Sequence, residues 1–144
     1  MTDTKNNDEV IYEARLHWIL FVWPVLLFIL AIWFGKHTSS LWFLNFGLML
    51  AAIFWEVVVW LTYQSSYIVV KPKQVVLCTG IFVRQTVVLS INKIESIDIR
   101  QSILGTIFHY GSLIITGTGG TRQEINFLSK PLTCRRYIEQ IMHD

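Results

Sequence analysis

Four histidines, two cysteines and ten acidic side chains are the groups in this 144-residue chain that could do chemistry. Nucleophilic catalysis needs a Ser or Cys within reach of a base, with the base oriented by a third group. His17, His37, His109 and His143 are scattered, and none stands at a revealing spacing from a nucleophile, a carboxylate or a cysteine. Cys78 and Cys134 are far apart, with no Cys-x-x-Cys and no histidine at ligand spacing, so they do not form a zinc site. Two free thiols fit a reducing compartment. Gly117-Thr118-Gly119-Gly120 lacks the Gly-Lys-Ser/Thr ending of a phosphate-cradling loop and precedes a strand, so it reads as a hairpin turn. No catalytic residue, metal ligand or cofactor is expected, and the chain is not expected to be an enzyme.

The remaining candidates point to binding. Lys71, Lys73 and Arg84 could meet anionic lipid headgroups, at about 1 kcal/mol per basic residue near the surface. Arg135 and Arg136 read as a solvated helix face near a helix C-terminus. Glu56 lies in a strongly apolar stretch, where burying a carboxylate in lipid costs about 3 kcal/mol. It is either a polar contact at a helix interface or a side chain reaching toward the headgroups. Gly47, Ala51 and Ala52 put small side chains nearby, which allow close helix approach in lipid. Candidate interface residues are therefore Gly47, Ala51 and Glu56, together with Gly119 and Gly120 of the glycine turn.

These residues need elements to position them, and composition divides the chain in two. Hydrophobic residues make up 53% and charged residues 15%, against about 45–50% and about 25% for a soluble domain. The excess is concentrated between Leu16 and Tyr63. After a polar N-terminal tail (1–15), residues 16–34 carry no charge and at 1.5 Å per residue reach roughly 28 Å, close to the hydrocarbon thickness of a bilayer. Pro24 predicts a kink inside that helix. A polar turn (35–40) leads to a second span (41–63), and so short a connection makes the two helices antiparallel neighbours. Trp18 and Trp60 at one boundary, and Trp33 and Trp42 at the other, form aromatic belts. A cleaved signal peptide fits poorly, because Asp8, Glu9 and Glu13 occupy the would-be basic region and no small-x-small cleavage site follows.

Of the 12 Lys and Arg residues, Lys36 alone lies in the turn. The positive-inside rule then puts both termini on the cytoplasmic face of the membrane. The net charge of +2 is too small to argue for nucleic acid.

Beyond Tyr63 the periodicity changes. Residues 66–70, 75–79 and 81–90 are rich in β-branched side chains. Ile97-Asp98-Ile99-Arg100 and Glu124-Ile125-Asn126-Phe127 alternate apolar and polar, the signature of half-buried strands. Residues 112–116 add another strand. Val10-Ile11-Tyr12 in the tail reads as a short strand or an interfacial patch. Ser129, as N-cap, and Pro131 open a last helix whose apolar stripe is Leu132, Cys134, Ile138, Ile141 and Met142. Six or seven strands and a terminal helix over residues 64–144 make an α+β class, with the helix plugging a bent sheet or partial barrel.

Four segments carry a resemblance. Tyr67-Ile68-Val69-Val70, Gly80-Ile81-Phe82-Val83-Arg84, the stretch from Ile94 through Gln101-Ser102-Ile103-Leu104-Gly105, and Tyr110-Gly111-Ser112-Leu113-Ile114-Ile115 resemble the bacterial pleckstrin-homology-like (PH-like) membrane proteins. The resemblance covers roughly residues 16–142. The chain departs from it at Gln74, where an Arg is usual, and at Thr106 and His109 between the two most specific motifs. It implies two transmembrane helices followed by a PH-like bent antiparallel sheet with a C-terminal helix, often self-associating, and no enzyme. The expectation is a membrane-anchored interaction module that forms homo-oligomers. An anionic-lipid-binding or lipid-remodelling factor, and an accessory subunit of a transporter or membrane enzyme, stand as alternatives.

Overall fold

A computed structural model describes residues 9–80 and 83–144. The chain divides into a helical unit, Trp18–Gln64, and a β-rich unit built from the residues up to His17 and those from Ser65 onward.

In the helical unit a 3-10 turn, Trp18–Phe21, leads into α1 (Val22–His37), and a second 3-10 turn, Ser39–Leu41, leads into α2 (Trp42–Ser65). Pro24 therefore does not kink a helix from within. It lies in the first turn of α1, where a missing N–H costs nothing because that donor has no intrahelical acceptor. The expected six-residue turn is shorter than the sequence implied: α1 continues through His37, and Thr38 closes it by donating its N–H to the carbonyl of Phe34 at 3.0 Å. Small side chains make the seam between the helices. Ala31 and Ala52 are fully buried, with Pro24 and Val59 beside them. At Gly35 a Cβ would fall 2.5 Å from the Asn45 amide nitrogen, so glycine is what lets Asn45 approach. Most of the remaining apolar surface, including Trp23, Trp42 and Phe54, is uncovered. The two helical stretches, Trp18–His37 and Ser39–Ser65, are 20 and 27 residues, long and apolar enough to cross a membrane.

The β unit holds two antiparallel sheets. The first has the order β1 (Tyr12–Arg15), β2 (Tyr67–Val70), β3 (Gln74–Thr79), β4 (Gln85–Ser90). The second has β5 (Ile94–Arg100), β6 (Tyr110–Gly117) and β7 (Arg122–Ser129). A short helix, α3 (Ile103–Phe108), joins β5 to β6, and α4 (Pro131–His143) ends the chain. The β-branched runs pair in register, for example Ile68 with Leu77 and Ile97 with Ile115. Their inward faces supply the core: Ile68, Val70, Val75, Leu113, Ile115 and Leu128 are fully buried. α4 lies against β1 of the first sheet and β5 and β6 of the second. Cys134 and Ile138 are its buried stripe, and Tyr137 stacks on Tyr12 with ring centroids 4.7 Å apart.

Several expectations need correction. The stretch read as a free tail contributes β1, which pairs antiparallel with β2 so that Tyr12 faces Val70 and Arg15 faces Tyr67. The strand reading of Val10-Ile11-Tyr12 was displaced by two residues, although the Ile11 N–H does reach the Val70 carbonyl at 2.9 Å. The strand expected over 81–90 starts at Gln85, and Ile81 and Phe82 lie outside the described residues. Ser129 ends β7 and does not cap α4. Lys130 holds the cap position in the left-handed region (φ 51°) without a side-chain cap. Leu132 is 57% exposed and leaves the apolar stripe.

Candidate functional site

The three basic residues expected to contact anionic headgroups lie at opposite ends of one strand. Lys71 and Lys73 sit in the turn between β2 and β3, where the Lys71 N–H donates to the Gln74 carbonyl at 2.9 Å. Arg84 follows β3 at its far end, just before β4 begins. Six residues of strand at about 3.3 Å each put about 17–20 Å between the two ends. One phosphate cannot bridge that distance.

On the hairpin, Gly47 and Ala51 lie on the exposed surface of α2, and a Cβ at Gly47 would meet nothing within 4 Å. The close contact in the seam falls to Ala52 instead. Glu56 is half-buried in a groove lined by Pro24, Val25, Phe28, Ala52, Ile53 and Val57. Gly119 and Gly120 form the exposed tip of the β6–β7 hairpin, with φ of 84° and 78°, the backbone that tight hairpin turns demand.

A cleft that the sequence did not reveal lies where β5, α3, β6 and β7 come together. Gln101 donates from its side-chain amide to the Tyr110 carbonyl at 3.2 Å, and the Ser112 hydroxyl donates to Asn126 Oδ1 at 2.6 Å. Gly111 keeps the floor open, since a Cβ there would strike Gln101 at 2.6 Å and the Arg100 carbonyl at 2.8 Å. Arg100 and Phe127 complete the wall of this shallow cleft of about 350 Å³. Past Gln101 the surface becomes basic, with His109, Lys130 and Arg136 around Pro131 and Thr133. Arg136, exposed as the sequence implied, lines this patch, while Arg135 pairs with Glu139 at 2.6 Å. Adjacency of Gln101-Ser102 and His109-Tyr110 in the chain was the available signal. The β6–β7 register shift near Gly111, which aims the residues together, leaves no sequence pattern.

Beside the cleft, α3 presents an apolar surface. Ser102 caps it by accepting from the Gly105 N–H at 3.1 Å, and His109 ends it in the left-handed region (φ 59°). The helix docks through Gly105, whose added Cβ would lie 2.6 Å from the Tyr110 carbonyl. Docking through a glycine turns the larger residues outward: Ile103, Leu104 and Ile107 are 84%, 58% and 62% exposed. The first segment of the chain reaches this end of the unit. Leu16 bridges to Leu128, the His17 N–H donates to the Phe127 carbonyl at 2.7 Å, and the His17 ring lies 5.4 Å from that of Tyr110. Burial holds the His17 imidazole below its ordinary pKa; a hydrogen bond to the Phe108 backbone opposes this, and the charge of His109 adds to it.

Among the described residues no group of three or more His, Cys, Asp or Glu side chains could hold a metal ion. Cys78 and Cys134 are free thiols, and burial pushes the Cys134 thiol up to about 12.

Two antiparallel sheets closed by a C-terminal helix, with a polar cleft and exposed turns at their margins, define a small α+β module of the PH kind. Over residues 15–139 the sequence matches the family described as the bacterial PH domain, and the chain belongs to that family. The match runs through both helices as well as the β unit. No curated protein matches the chain. Among solved structures the chain is similar to the C-terminal domain of an unknown protein from Leishmania infantum, at 8% identity and a TM-score of 0.45, over 55% of this chain and 69% of that one.

Proposed function

We propose that this protein is a membrane-anchored PH-like interaction module that works by binding rather than by catalysis. Its helical hairpin crosses the bacterial inner membrane twice, leaving both termini in the cytoplasm. The β unit presents its cleft and turns to partners there, and copies of the chain self-associate. The observation that carries this reading is a bacterial PH domain continuous with two helical stretches of 20 and 27 residues whose apolar side chains are mostly uncovered. So much exposed apolar surface needs lipid or protein to cover it.

Cysteine labelling tests the topology in a Cys78→Ser background, where buried Cys134 stays silent. In intact cells Ser39→Cys should react with a membrane-impermeant maleimide. Thr118→Cys, at the exposed β6–β7 turn, should react only after permeabilisation. External labelling of Thr118→Cys with a protected Ser39→Cys would reverse the orientation, and external labelling of both would remove the double crossing.

A second reading has support in the basic patch of His109, Lys130 and Arg136, which suits an anionic lipid headgroup. It moves the expected headgroup contacts away from Lys71, Lys73 and Arg84. Charge reversal at Lys130 and Arg136, compared with reversal at Lys71 and Lys73, separates the two locations by cosedimentation with phosphatidylglycerol vesicles.

A further inference from the structure

We propose that α3 lies in the lipid–water interface of the membrane that the hairpin crosses, as a second and shallower anchor for the β unit; this rests on the hairpin reading. Six residues, Ile-Leu-Gly-Thr-Ile-Phe, form a helix whose glycine faces the protein and whose Ile103, Leu104 and Ile107 face out. A soluble surface seldom displays three such side chains on one turn and a half of helix. Lipid is the occupant that the surroundings select.

Two observations argue for it. The first is position. His17 bonds to the Phe127 backbone and sits beside Tyr110, whose carbonyl packs against Gly105 of α3. His17 is joined by one peptide bond to Trp18, the first residue of the apolar helical stretch, and neighbouring Cα atoms are about 3.8 Å apart. The His17 that packs at this end of the β unit is therefore the residue after which the hairpin stretch begins. The second is charge. The Lys130 N–H donates to the carbonyl of His109, the residue that ends α3, at 2.8 Å, and Lys130 and Arg136 line the patch beside it. Apolar side chains flanked by cations are the pattern of segments that lie in an anionic membrane surface.

The test uses the full chain, with Cys78→Ser, in vesicles of phosphatidylethanolamine and phosphatidylglycerol. A bimane fluorophore is placed in turn at Ile107→Cys, at Thr118→Cys and at Phe54→Cys, which is 69% exposed on α2 and outside the Glu56 groove. Ile107 is exposed, so a label there displaces no core atom. Lipids with a nitroxide near the headgroup should quench position 107 severalfold more than position 118, and mid-chain nitroxides should quench position 54. Strong mid-chain quenching at 54 with no lipid quenching at 107 would overturn the α3 anchor and leave the hairpin standing. If 107 were then also shielded from aqueous iodide, a protein surface would be its occupant. Absence of quenching at 54 would overturn both readings.

Discussion

Ile97 and Asp98 are neighbours with opposite fates. Ile97 is buried opposite Ile115, while Asp98 is exposed. Ile97→Asp places an uncompensated carboxylate in the core and should cost about 3 kcal/mol or more, whereas Asp98→Asn should stay within about 0.5 kcal/mol. Thermal unfolding of the two variants in detergent measures the difference, and equal midpoints would contradict the burial of Ile97. This much was readable in the sequence, because alternation along a strand directly encodes which side chain goes in. The site residues were less readable. Lys71, Lys73 and Arg84 were grouped by charge, and the length of β3 separates them. Gln101, Ser112 and Asn126 escaped notice because three strands, a helix and a register shift bring them together.

Among the elements, long periodic ones were legible and short ones were not. Both hairpin helices follow from long, predominantly apolar runs. α3 does not, since six residues are fewer than two turns and cannot show a helical period; its trace is the Ser102 cap bonded to Gly105. The seam of the hairpin was half legible. Of the small residues expected there, Gly47, Ala51 and Ala52, only Ala52 is buried in the seam. Glu56 sits in the groove that Pro24 lines, and its carboxyl is the polar group available there for contact with another copy. Glu56→Gln keeps hydrogen-bonding capacity and should leave crosslinked assemblies at parental yield. Glu56→Lys adds a fixed charge at the same depth, a cost of about 3 kcal/mol, and should reduce crosslinking severalfold. Parental yield from both variants in membranes would move the interface off this groove.

At the scale of the whole molecule, the β unit is assembled from two separated pieces of chain. β1 precedes the hairpin and pairs with β2, which follows it. Ala14 and Leu16 are buried in the unit, and burying a Leu contributes about 2 kcal/mol. Residues 65–144 alone should therefore be unstable, with the β2 edge open. Residues 9–17 joined to 65–144 by a short Gly-Ser linker should regain a cooperative thermal transition, because Arg15 and Tyr67 are already paired. Equal transitions for the two chains would show β1 to be dispensable. Composition hid this dependence: a polar segment before an apolar run looks like a tail, and only its partner strand, more than 50 residues on, gives it a structure.

That shared sheet also carries a form of parity. On the proposed topology, β1 can reach β2 only because the chain crosses the bilayer an even number of times between them. A copy in which one helix failed to insert would strand its first fifteen residues on the opposite side from β2. Its first sheet would then keep a raw edge along Tyr67–Val70, and the Phe127 carbonyl would lose its donor. On the proposed double crossing, correct insertion is thus recorded in the completeness of a β-sheet.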